Sequence, residues 1–167
     1  MGVVVKLIDA ILFLFFIVIA IAAPLIDAQT CFPTNLFPEF LVNLKSRYAQ
    51  EYGDYLVAQK PHFFVGIVWL ELLFQWPLAL INLYAILGSK PWLNTTCLIY
   101  GVSVFTSMVA ILSELIGSGK ASDKLLMMYV PFAGLGVLAT MRGLLPRSAK
   151  TASTGGKGPA LTRKKRA

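Results

Sequence analysis

The sequence predicts an all-α, polytopic membrane protein: a four-transmembrane-helix bundle with a short lumenal amphipathic helix. Three observations carry that prediction. Of the 167 residues 57% are apolar and only 14% are charged, against roughly a quarter charged in a typical soluble domain. Charge is absent from four long runs, Ala10–Ile26, Leu72–Ser89, Pro91–Ser113 and Leu125–Met141. The remaining charge is lopsided: the net is +7, and eight of the fifteen Lys and Arg lie from Arg142 onward.

A bilayer core about 30 Å thick takes roughly 20 apolar residues of helix to cross, and four such segments fit near 7–27, 63–87, 92–116 and 125–145. Helix is expected because lipid offers no partner to an unpaired backbone amide, and the ~10-residue alternation of a membrane strand is missing. For the first segment, Lys6, a short apolar run and the small residues Ala20, Ala22 and Ala23 also fit a cleavable signal peptide. Asp9 at the start of the run and the single preceding cation favour a retained helix.

The basic balance follows the positive-inside rule rather than a nucleic-acid footprint. With both termini in the cytosol, ten Lys and Arg lie on that side and five (Lys45, Arg47, Lys60, Lys120, Lys124) on the lumenal side. Residues 1–146 form the transmembrane domain and 147–167 read as a disordered basic cytosolic tail. Lys164 and Lys165, four and three positions from the end, fit a dilysine signal for retrieval to the endoplasmic reticulum. Cys31 and Cys97 fall on different levels of the bundle, so no disulfide is expected. Asn94-Thr95-Thr96 is a glycosylation sequon on the cytosolic half, expected to stay unmodified.

Within the 28–62 loop, Phe37, Phe40, Leu41, Leu44 and Tyr48 recur at helical spacing, with Asn43, Lys45, Arg47 and Gln50 between them. That pattern predicts an amphipathic helix that lies on the lumenal surface or caps the bundle; the cap is favoured, because two aromatics and Tyr52 would cover a cavity mouth. Gly88-Ser89-Lys90-Pro91 reads as a tight turn, and Gly117-Ser118-Gly119 with Ser122 as a looser one.

Acids within membrane helices are functional candidates by default. Glu71 sits about eight residues, hence roughly 12 Å, from the lumenal end of the second helix. A carboxylate there must be neutralised or held by a cation or hydrogen-bond donor, and Gln75, four residues on, is a candidate donor. Asp27 ends the first helix on the same side, three residues after Pro24. Two carboxyls at similar depth can share a proton, leaving one to grip a ligand's ammonium; the alternative is that they only bind helices together. Asp9 and Glu114 read as solvated helix ends. Pro24, Pro77 and Pro131 interrupt three helices, which can open a cavity. Tyr100, Ser107, Tyr129 and Phe132 are candidate wall residues, and Gly101, Ala110, Gly134 and Gly136 suit close helix contact. No metal cluster, nucleophilic triad or phosphate loop is present, His62 is alone at the surface, and neither metal nor cofactor is expected.

Taken in order, Leu25-Ile26-Asp27-Ala28-Gln29, Tyr48-Ala49-Gln50-Glu51-Tyr52, Glu71-Leu72-Leu73-Phe74-Gln75-Trp76-Pro77, Ile99-Tyr100 and Tyr129-Val130-Pro131-Phe132 resemble the sigma-2 receptor (transmembrane protein 97) family. The resemblance covers nearly all of residues 7–145. That family belongs to the EXPERA group, which also holds a sterol isomerase, emopamil-binding protein. The resemblance implies a four-helix, dimeric protein of the endoplasmic reticulum that binds sterols and cationic amphiphiles, with sterol-transport membrane proteins as candidate partners. It implies a ligand salt bridge at Asp27, a buried acid, Glu71, that hydrogen-bonds that aspartate, and a pocket lined by Gln75, Tyr100, Ser107, Met128, Tyr129 and Phe132. Phe132 replaces the family's tyrosine and Ser107 a threonine, changes that bear on ligand preference rather than on the pocket. The resemblance also implies that the first helix is retained.

Two function classes follow: a non-enzymatic receptor involved in cholesterol handling, or a sterol double-bond isomerase. The isomerase needs a proton donor and acceptor across the sterol rings, and the related enzyme carries a membrane histidine that this sequence, with only His62, lacks. The receptor is the expected class.

Overall fold

The computed structural model describes residues 2–145; the basic tail and the Lys164–Lys165 signal lie outside the described residues. Six helices follow one another there: α1 (Val3–Leu25), α2 (Glu39–Tyr52), α3 (Tyr55–Gln59), α4 (His62–Leu87), α5 (Leu93–Gly117) and α6 (Asp123–Leu144). α1, α4, α5 and α6 are long and apolar enough to cross a membrane, and the chain is a multi-pass membrane protein. Short 3-10 turns at Asp27–Thr30 and Thr34–Leu36 lead from α1 into α2. The start of α1, the α4–α5 turn and the end of α6 share one end of the bundle, the termini end; α2 and α3 close the other, the capped end.

Packing explains the register. On α1, Leu12, Phe15, Phe16 and Ile19 are buried, an i, i+3, i+4, i+7 stripe, while Ile11, Leu14, Val18 and Ile21 face outward. Only 17–33% of each span's most apolar stretch is buried in protein, so the apolar remainder is the surface a bilayer would cover. Near the middle, Tyr100 of α5 packs edge-on against Phe16, ring centroids 5.0 Å apart. α5 and α6 form the closest pair. A methyl group added at Gly143 would fall 2.6 Å from the Leu98 backbone nitrogen, and one at Gly101 2.7 Å from the Gly136 carbonyl, so backbones touch there as small residues allow. Gly134 and Ala110, expected in this contact, instead face away from it; Gly143 takes part in their place.

The prolines act differently from one another. Pro24 cannot donate an amide to the Ala20 carbonyl, and the Trp76 indole of α4 donates to that oxygen at 3.1 Å. Pro77 follows a single wide turn of π-helix, Glu71–Gln75, in which the Trp76 amide reaches back five residues to Glu71. Such wide turns gather at functional sites. Pro131 lies within α6.

Three expectations are corrected. The inward face of α2 is Leu41, Lys45, Tyr48 and Tyr52, while Phe40 and Leu44 are 67% and 55% exposed; the apolar positions read as the covered face include a flank turned outward, and Lys45 belongs to the stripe that covers the bundle. Asp9 is no solvated end. Arg142, 3% exposed, donates from Nε and Nη2 to its two carboxylate oxygens and from Nη1 to Asn94 Oδ1 at 2.9 Å. The Asn94 amide in turn donates to the Leu145 carbonyl at 2.6 Å. A charge buried in a low-dielectric bundle needs such a partner, and the helix end supplies one across 133 positions of sequence. Glu114, also expected to be solvated, is half-buried and accepts from the Tyr55 hydroxyl at 3.1 Å. Both cysteines are free, as expected.

Candidate functional site

Three local devices aim side chains at one cavity. The 3-10 turn after α1 carries Asp27, the π turn carries Glu71, and α2 lies across the capped end with its inward stripe beneath. The cavity holds about 260 Å³, near the lower end of small-ligand pockets, ~300–1,000 Å³. Asp27, Glu71, Gln75, Tyr100, Ser107, Met128, Tyr129 and Phe132 all line it. The structure thus brings together all eight residues singled out in the sequence, drawn from the turn after α1 and from α4, α5 and α6. Apolar side chains such as Ile19, Val68, Val104 and Ile111 complete the walls. His62 is exposed and outside the cavity.

Gln75 does not serve Glu71 as its spacing suggested. Its amide donates to Ser103 Oγ at 3.0 Å and Ser107 Oγ at 3.2 Å, two hydroxyls one turn apart on α5, so it ties α4 to α5. The hydrogen bond that the resemblance implies between Glu71 and Asp27 is not formed among the described residues; both carboxyls are half-buried and face the cavity from separate elements. Chemically the arrangement is a mostly apolar chamber on which a few polar groups converge.

Sequence reasoning missed Lys45, Thr30 and Asp54 as parts of the site, and placed Tyr48 only on the cap. Lys45 is 8% exposed and lines the cavity; its ammonium donates to the Ile26 carbonyl at 2.9 Å and to Thr30 Oγ1 at 2.7 Å. Burial lowers it to about 8, against the opposing pull of the Asp27 charge. Asp54 is fully buried. It caps α3 through the Val57 amide and accepts from the hydroxyls of Tyr129 at 2.8 Å and Tyr48 at 3.2 Å, which fixes one wall of the cavity. Burial, and the charge of Asp54, push the Tyr48 hydroxyl up. The signal for Lys45 was its spacing: Leu41, Lys45, Tyr48 and Tyr52 form one helical stripe.

Fold and site together define a multi-pass helical membrane protein with an internal, acid-bearing cavity. The EXPERA (EXPanded EBP superfamily) profile matches residues 40–143, and the chain belongs to that family. Among similar proteins are those named Sigma intracellular receptor 2 from Macaca fascicularis and Homo sapiens, each 39% identical over 88 residues, 52% of this chain and 50% of theirs. Another of that name, from Xenopus tropicalis, is 29% identical over 125 residues, 74% of this chain and 73% of its own. The chain therefore spans about half the length of the two mammalian relatives it matches. These matches meet the resemblance read from the motifs, and the relatives are named as receptors.

Proposed function

We infer that the chain is a membrane receptor that binds sterols and cationic amphiphiles in the cavity between α1, α4, α5 and α6, and that it serves sterol homeostasis rather than catalysis. The observation that carries this reading is the convergence of Asp27 and Glu71 on one chamber with apolar walls. Asp27 pairs with the ligand's ammonium, and a protonated Glu71 supports it from across the chamber. The receptor names of the relatives favour binding over isomerase chemistry, as does the absence of His62 from the chamber. The capped end faces the lumen and both termini the cytosol, Lys164 and Lys165 return the protein to the endoplasmic reticulum, and two copies pair.

Ligand binding to purified variants tests the site. A buried, charge-assisted contact costs roughly 2–5 kcal/mol when one partner is removed, so Asp27→Asn weakens a tertiary-amine amphiphile by at least about 30-fold. Glu71→Gln does less damage, because a neutral amide matches the protonated acid in charge and shape, and a neutral sterol loses little in Asp27→Asn. Normal amine binding by Asp27→Asn would make the carboxyls structural. Growth of a sterol-isomerase-deficient yeast rescued by this chain would overturn the receptor reading. Protease protection of terminal tags in microsomes checks the orientation, and Lys164→Ser with Lys165→Ser should release protein from the endoplasmic reticulum.

A further inference from the structure

Lys45 is an unusual occupant of this chamber. It comes from the cap rather than from a spanning helix, and its ammonium is buried. Among the described residues it forms no ion pair. Its known partners are two neutral acceptors, the Ile26 carbonyl and Thr30 Oγ1. An ammonium has three donors, and the described residues place no acceptor within hydrogen-bond distance of the third. A buried charge left short of a partner is costly, unless what completes its shell arrives with a ligand.

The position of Lys45 narrows the ligand group. It lines the chamber that Asp27 and Glu71 line, and Ile26 and Thr30, which hold its ammonium, flank Asp27 along the chain. The mouth of the chamber therefore offers two recognition chemistries side by side. A carboxylate accepts from a cationic amine, while an ammonium donates to a neutral oxygen and repels that amine. A carboxylate-bearing ligand would meet two acids as well as one lysine, so the group that suits Lys45 is an uncharged acceptor, a hydroxyl or carbonyl oxygen.

We propose that Lys45 is the specificity-determining anchor for the hydroxyl of a neutral, sterol-like ligand, separate from the Asp27 anchor for cationic amines. The inference rests on the cavity reading above and deepens it: one chamber discriminates two ligand classes with two adjacent groups of opposite sign. Ile26 and Thr30 hold the ammonium in place before ligand arrives, so the hydroxyl completes a shell that is two-thirds built. The same charge weakens the hold on amines.

The test uses the full chain in detergent micelles and three probes: cholesterol, its 3-deoxy analogue, and a tertiary-amine amphiphile. In the wild type the hydroxyl improves affinity by about tenfold, a hydrogen bond to a charged group being worth about that factor. In Lys45→Met the two sterols bind alike, while the amine binds at least as tightly as before; Lys45→Arg, which keeps the charge and donors, keeps a preference for the hydroxyl. A tenfold preference for cholesterol that survives in Lys45→Met would overturn the assignment. Equal binding of the two sterols to the wild type would overturn it without any variant, leaving the cavity reading intact. Failure of every probe to bind the wild type would overturn the cavity reading, and this one with it.

Discussion

At the termini end Arg142 pairs with Asp9 through two nitrogens and with Asn94 through a third, while at the capped end Asp27, Glu71 and Lys45 share a chamber without one ion pair among them. Both sets bring acids and a cation together within the bundle. What differs is saturation of charge by counter-charge. Charge that meets its opposite within hydrogen-bond distance holds helices together. Charge left partly answered, beside empty volume, is what a ligand can meet. Burial of a charged residue is thus no guide to its role until its partners have been counted.

The comparison can be broken first at the saturated end. Removing one member of a buried ion pair costs about 3–5 kcal/mol, so Arg142→Met should lower the thermal unfolding midpoint in detergent by the largest amount of any change considered. Asp27→Asn should leave the midpoint at or above that of the wild type. Equal losses would mean that the capped-end acids are structural too. Next comes Tyr129→Phe, which strips a hydrogen bond from the buried Asp54 and should cost about 1.5–3 kcal/mol by the same measurement. Trp76→Phe leaves the Ala20 carbonyl without its indole donor and should cost about 1–3 kcal/mol.

The smallest effect sharpens the unsaturated end. Lys45 sits at about 8 in the folded chain against 10.5 ordinarily. Between those values the unfolded chain holds a proton that the folded chain has released, so raising the pH favours folding. The stability of the wild type relative to Lys45→Met should accordingly improve, by on the order of 1 kcal/mol, between pH 7.5 and 9.5. A gap that stays flat over that range would show that the Lys45 ammonium is not disfavoured where it lies.

The spans were legible because an uncharged run of the right length has few other uses, and the observed helices differ from the expected ones by a few residues at their ends, α1 beginning at Val3 rather than near 7. The acids of the chamber were legible for the converse reason: Glu71 stands out in an apolar run. Lys45 was hidden because a lysine between apolar residues reads as the solvated face, and its spacing with Leu41, Tyr48 and Tyr52 becomes a signal only once that stripe is known to face inward. Phe40 and Leu44 carried the pattern, and they turn outward. The Asp9–Arg142 pair was out of reach because its members are distant in sequence, and each alone looks like an ordinary helix end. Asp54 likewise has its meaning only once Tyr48 and Tyr129 are brought beside it.

The bond from the Trp76 indole to the Ala20 carbonyl bears on how the chain is put together in the bilayer. α1 is synthesised before α4, and an isolated first helix carries at Ala20 an oxygen that Pro24 has deprived of its own amide. In hydrocarbon such an oxygen costs several kcal/mol. Docking of α4 relieves that cost only in one alignment, because sliding either helix by a turn, about 5.4 Å, takes the indole out of reach. A proline that weakens one helix by itself thereby serves as a registration mark for the pair, penalising misassembled bundles long before any ligand is present.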